Sequence, residues 1–196
     1  MFLALVTLLF LLNRSWGAID SDLVTELPGW NGSLPSKQYS GLLELPNNDG
    51  VPRYYHYWLV QSENEPQKDP FVVWYNGGPG ASSLLGYFVE HGPFHTNDYS
   101  VELNTTDIPV LFYNNYTWTK VANILYLEMP GGVGFSFCGD PDDPVVNQDP
   151  GLLCPHWNDS SVAQDNYNIL NVFFSKYPEF QTNDFYVFGE SYAGMK

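Results

Sequence analysis

Asp184-Phe185-Tyr186-Val187-Phe188-Gly189-Glu190-Ser191-Tyr192-Ala193-Gly194, followed by Met195 and Lys196, closes the 196-residue sequence and decides its reading. The apolar run 185–188 predicts a strand. Small residues two positions before and two after Ser191 let the chain bend sharply, so the strand runs into a turn that lifts the hydroxyl to the tip of a sheet. A serine hydroxyl is a weak nucleophile until a neighbouring base takes its proton. An ordinary strand-to-helix turn with a capping serine has the same letters, so the motif needs its surroundings.

Working backwards, a helix is predicted from Ser161, with Gln164 completing a capping box. Ala163, Tyr167, Leu170, Phe174 and Tyr177 would form its apolar face, and Pro178 would end it. Residues 138–158, rich in Asp and Pro, form an excursion. Asn123 to Met129 reads as a buried strand that stops at Pro130-Gly131-Gly132, and Phe71 to Tyr75 as another that stops at Asn76-Gly77-Gly78-Pro79-Gly80. Gln38 to Leu45 and Arg53 to Val60, separated by Pro46-Asn47-Asn48-Asp49-Gly50, read as a hairpin. Strand, helix, strand makes one βαβ unit and a parallel sheet, with candidate sites at the glycine turns that end its strands. Acyl transfer needs preorganised backbone N–H groups for an oxyanion, and the 77–80 turn can supply them. A nucleotide loop fits less well. No Gly-Lys-Ser/Thr follows, and Gly131-Gly132-Val133-Gly134 lacks the third glycine of a dinucleotide fingerprint.

Seven basic residues face twenty-two acidic ones, a net charge of -15, which makes nucleic acid and anionic membranes poor partners. The apolar run from Phe2 to Leu12 is too short to span a bilayer, which takes about 20 residues. It suits a secretory signal, with residues 1–17 removed after Gly17 and the mature chain running over 18–196. Sequons at Asn31, Asn104, Asn115 and Asn158 agree with that route. Cys138 and Cys154 are the two cysteines. In an oxidising compartment they would pair, and a loop of that size is stabilised by roughly 3 kcal/mol. Two separate thiols, or partners elsewhere, are the other readings. No metal spacing is visible: His91 and His95 are divided by Pro93, so no metal or cofactor is expected.

Four blocks together resemble the serine carboxypeptidases, the family of cathepsin A and carboxypeptidase Y. Trp74 to Ser83 is similar to the family's Trp-Leu-Asn-Gly-Gly-Pro-Gly-Cys-Ser-Ser; Glu90-His91-Gly92-Pro93-Phe94 resembles the segment that follows it. Trp118 to Phe137 resembles the next block, and Gly189 to Gly194 matches Gly-Glu-Ser-Tyr-Ala-Gly. The resemblance runs from about Leu27 to the last residue. It implies an α/β-hydrolase fold with a mostly parallel sheet, present here as its N-terminal part only. Ser191 is implied as nucleophile, backbone N–H groups of Gly78 and Tyr192 as oxyanion hole, and Asn76, Glu90 and Glu190 as the site for a substrate's terminal carboxylate.

Peptides with a free C-terminus are the implied partners, in a secreted or lysosome-like compartment. A glutamate holds a substrate carboxylate only when protonated, so such a site favours acid. Ala81 departs from the family, whose cysteine there forms a disulfide. The family's triad aspartate and histidine follow the serine, and His56, His91, His95 and His156 all precede Ser191, none in a matching motif. The chain alone is therefore expected to be inactive and to leave the 71–75 and 185–188 strands uncovered. An acyltransferase of the carboxypeptidase-like group, and a truncated non-catalytic binding product, are the rival readings.

Overall fold

The computed structural model describes residues 20–45, 50–102 and 107–195. The expected signal sequence, the turn at 46–49 and the Asn104 sequon lie outside the described residues. The strands are β1 (Leu23–Val24), β2 (Gln38–Leu45), β3 (Arg53–Val60), β4 (Phe71–Tyr75), β5 (Phe94–His95), β6 (Phe112–Tyr113), β7 (Asn123–Leu127), β8 (Phe137–Cys138) and β9 (Phe185–Gly189). The helices are α1 (Asp98–Glu102), α2 (Pro144–Gln148) and α3 (Asp159–Lys176).

The main sheet has the order β1-β2-β3-β7-β4-β9, with β8 also paired to β3. It is mixed. β2 and β3 form the expected hairpin, Leu45 opposite Arg53, and β3 joins β7 antiparallel. From β7 onward the pairing is parallel, β7-β4-β9, and this half carries the candidate site. The unbroken apolar runs of β4 and β7 follow from burial on both faces. Phe71, Val73, Tyr75, Leu125 and Leu127 enter the core beneath α3; Val72, Trp74, Ile124 and Tyr126 enter a second core on the opposite face with Tyr87 and Phe94. β4 is thus covered on both faces and both edges, against expectation. β9 is not: it lies at the edge of the described sheet, and Phe185, Tyr186, Val187 and Phe188 are all exposed.

α3 begins two residues earlier than its sequence suggested. Asn158 is the N-cap, and its side chain accepts from Ser161 N–H while Ser161 Oγ accepts from Asn158 N–H. That reciprocal pair displaces the Ser161/Gln164 box. The buried face is also rotated. Val162, Asp165, Asn166, Ile169 and Phe173 point inward and Ala163 and Tyr167 are exposed, while Leu170, Phe174 and Tyr177 pack in or against the core as expected. Apolar periodicity missed this because two inward positions are polar and satisfied. Asp165 accepts from Tyr55 Oη (2.6 Å) and Arg53 Nη1 (3.0 Å), and Asn166 accepts from Tyr75 Oη. At the far end Lys176 pairs with Asp22 at 2.6 Å. Cys138 and Cys154 form a disulfide that closes the 138–158 excursion, and α2 lies within it. Among the described residues no helix is long and apolar enough to cross a membrane.

The orientation of α3 makes a contrast between two aromatic truncations. Phe173, packed against Tyr57, Phe71 and Tyr177, should lose about 3–5 kcal/mol of stability on Phe173→Ala. Tyr167→Ala should stay within about 0.5 kcal/mol. Urea unfolding of the two variants reads the difference, and equal losses would contradict the rotated face.

Candidate active site

Register builds this site. Tyr75 pairs with Gly189 across β4 and β9, so the next residues, Asn76 and Glu190, emerge side by side at the ends of adjacent parallel strands. Ser191 follows with φ +55°, a left-handed conformation that costs a non-glycine residue roughly 1–2 kcal/mol. Holding it requires small neighbours. A Cβ on Gly189 would stand 2.6 Å from Ala193 Cβ and 2.9 Å from Tyr75 O. A short 3-10 helix, Ser191–Met195, carries the chain away. This is the sharp strand-to-helix elbow the spacing of Gly189, Ser191 and Ala193 called for.

The glycine turn after β4 abuts the elbow. A Cβ on Gly77 would lie 2.8 Å from Ser191 Cβ and 2.9 Å from Tyr192 N, so the two turns close only because Gly77 has none. Gly78 is exposed with φ +108°. Tyr192 sits in the first turn of its helix, where N–H groups lack intrahelical partners, and its hydroxyl donates to Asp159 at 2.6 Å. Pro79, Pro130, Trp157, Asp159 and Tyr192 border a small pocket of about 130 Å³ beside the elbow.

Asn76 joins the substrate-site candidates into one group. It is fully buried. Its Oδ1 accepts from Trp74 Nε1 (2.9 Å) and Gly86 N–H (3.0 Å), which fixes the amide's orientation. Its Nδ2 then donates one hydrogen to Glu90 Oε1 and the other to Glu190 Oε1, both at 2.9 Å. Glu90 arrives on a π-helical turn, Gly86–Glu90, and both glutamate side chains reach the surface. Every residue in the candidate set therefore lies within one cluster at the C-terminal ends of β4 and β9.

Among the described residues no histidine hydrogen-bonds Ser191. His91 is buried between Trp74 and Trp118 with Nδ1 3.2 Å from Tyr126 Oη. His95 stacks on Phe112. His56 meets Glu128, a residue that sequence reasoning passed over. Glu128 is fully buried at the end of β7. Burial pushes its carboxyl upward, but His56, the Phe135 N–H and Ser82 together hold it below the usual carboxylate range. Its signal was positional: a lone acid directly after a buried apolar strand and before a glycine turn. Asn31, Asn115 and Asn158 are exposed, and Asn158 doubles as the α3 cap.

A parallel sheet ending in a strained serine elbow, with a glycine turn pressed against it, defines the α/β-hydrolase class. The serine carboxypeptidase family matches residues 28–196, and the chain belongs to that family. It is 41% identical over 197 residues to the lysosomal protective protein of Mus musculus, covering 98% of this chain and 36% of the relative. It is 40% identical over 194 residues to serine carboxypeptidase-like 20 of Arabidopsis thaliana, covering 99% and 35%. The crystal structure of a prohormone-processing carboxypeptidase from Saccharomyces cerevisiae superposes with a TM-score of 0.66 at 26% identity, covering 81% of this chain and 32% of that one. The chain thus spans about a third of the length of these relatives.

His91 sets a pH dependence. Burial lowers its pKa to about 4, whereas an unfolded imidazole titrates near 6.5. Between those values the unfolded chain holds a proton that the folded one excludes, so stability rises with pH through the window. His91→Gln should flatten the Tm profile between pH about 4 and 6.5 by close to one proton's slope. Parallel profiles for both proteins would refute it.

Proposed function

We propose that this chain is the nucleophile-bearing part of a serine-type carboxypeptidase that removes C-terminal residues from peptides. The observation that carries this reading is Asn76, whose two amide hydrogens go to Glu90 and Glu190 one register step from Ser191. A buried amide presenting two carboxyl groups beside a nucleophile suits a substrate that ends in a carboxylate. Ionised glutamates would repel that group, so binding requires a proton within the cluster and activity rises in acid.

In this reading Ser191 Oγ attacks the scissile carbonyl carbon, and the backbone N–H groups of Gly78 and Tyr192 take the oxyanion. The Oγ proton passes to a histidine that the described residues do not supply, then to the departing amine. Water releases the acyl group from Ser191 by the reverse path. The chain alone is therefore inactive. Passage through the secretory pathway to the cell exterior or a lysosome-like compartment, with glycans on exposed Asn31, Asn115 and Asn158, completes the proposal.

The test uses the full-length protein that carries this chain. It should cleave a blocked dipeptide with a free carboxylate at pH about 5 and spare the C-terminal amide, because only the free acid engages the Asn76 cluster. Ser191→Ala should abolish cleavage. Asn76→Ala should raise KM for the free acid about 10- to 100-fold, the worth of hydrogen bonds to a charged group. Turnover of an acyl glucose ester with no peptide cleavage would replace the reading with acyl transfer. Cleavage by the 196-residue chain alone would overturn its inactivity.

A further inference from the structure

We propose that Glu128, His56 and Ser82 are positioning residues that clamp the 77–83 turn against the Ser191 elbow; this rests on the reading of Ser191 as nucleophile. Glu128 stands one step beyond β7, as Asn76 stands one step beyond β4, and its two carboxylate oxygens reach two different glycine turns. Oε2 accepts from Phe135 N–H at 2.8 Å, which fixes the 130–135 turn, and from His56 Nδ1 at 2.9 Å. Oε1 accepts from Ser82 Oγ, in the turn that carries Gly77 and Gly78. The carboxylate lies so close over Gly134, at φ +57°, that no side chain fits there.

Ser82 and Ser83 work as consecutive pins. Ser82 is held by the Glu128 side chain, and Ser83 Oγ donates to Leu127 O at 2.7 Å while accepting from Asn76 N–H. The turn is thereby tied to β7 on one side while Gly77 touches the elbow on the other. Any slackness at Ser82 is felt where Gly78 and Tyr192 face the reacting carbonyl.

His56 steadies the clamp from behind. Glu128 accepts from His56 Nδ1–H, and on the ring's other side Nε2 lies 2.9 Å from Ser40 Oγ. Ser136 locks the same seam, accepting from His56 N–H and donating to Glu128 O, both at 2.8 Å. Ser40, His56 and Glu128 follow the order of a serine–histidine–acid relay. Ser40, however, lies within a paired strand rather than at an elbow, and no glycine turn of the described residues is joined to it by a hydrogen bond. The arrangement serves to orient Glu128.

Ser82→Ala in the full-length protein tests this while leaving His56 and Glu128 themselves in place. The expected result is a kcat about 10-fold lower with KM for the free-acid dipeptide within about 2-fold, and near-complete rescue by Ser82→Thr, which keeps the hydroxyl. Unchanged kcat in an enzyme that Ser191→Ala silences overturns the clamp and leaves the proposed function standing. A wild-type protein that cleaves no peptide removes the proposed function, and hydrogen exchange on the 196-residue chain then decides the clamp. Ser82→Ala should speed exchange of the 77–83 amides about 5-fold or more, with α3 unchanged. Equal exchange would overturn it.

Discussion

The pairing of three parallel strands in matched register is the constraint on which the site depends. Leu127, Tyr75 and Gly189 end β7, β4 and β9, and the residues that follow are Glu128, Asn76 and Glu190. Burying an unsatisfied polar group is costly, so the two buried ones, Glu128 and Asn76, must find partners at the point where their strands stop. Asn76 does so by accepting from Trp74 and Gly86 and donating to two glutamates. Glu128 does so by gathering His56, Ser82 and Phe135. The polar row is therefore a consequence of strand ends falling level, and the two glycine turns are the backbone's way of clearing it.

The rest of the fold protects that register. α3 lies across the sheet with an inward face that mixes apolar and polar side chains, and Asp165 and Asn166 meet tyrosine hydroxyls from β3 and β4. These bonds place the helix along its axis more sharply than ring packing does, because a buried hydroxyl without its acceptor loses about 1–3 kcal/mol. The helix position matters at the site because its first residue, Asp159, holds the Tyr192 hydroxyl.

Much of this was legible in the sequence, for stated physical reasons. The hairpin bounds, β4 and β9 followed from apolar runs cut by turn residues, and Asn76, Gly78, Glu90, Glu190, Ser191 and Tyr192 came from family blocks that the fold gathers into one cluster. Four things were not legible. The α3 face was misread because Asp165 and Asn166 are buried yet polar, and the cap because Asn158 can use Ser161 in place of a longer acid or amide partner. Glu128 was marked only by its place after a buried apolar strand, because its partners are 7, 46 and 72 residues away. β4 was expected to lie bare, but β7 and β9 flank it and both faces are packed.

The left-handed backbone at Ser191 separates what suits the fold from what suits the proposed reaction. At φ +55° glycine would sit without strain, so for stability alone serine is the inferior choice. A chain selected only to fold would drift toward glycine there. A hydroxyl kept at a left-handed backbone position is the trade of stability for activity that the proposed role of Ser191 as nucleophile would explain.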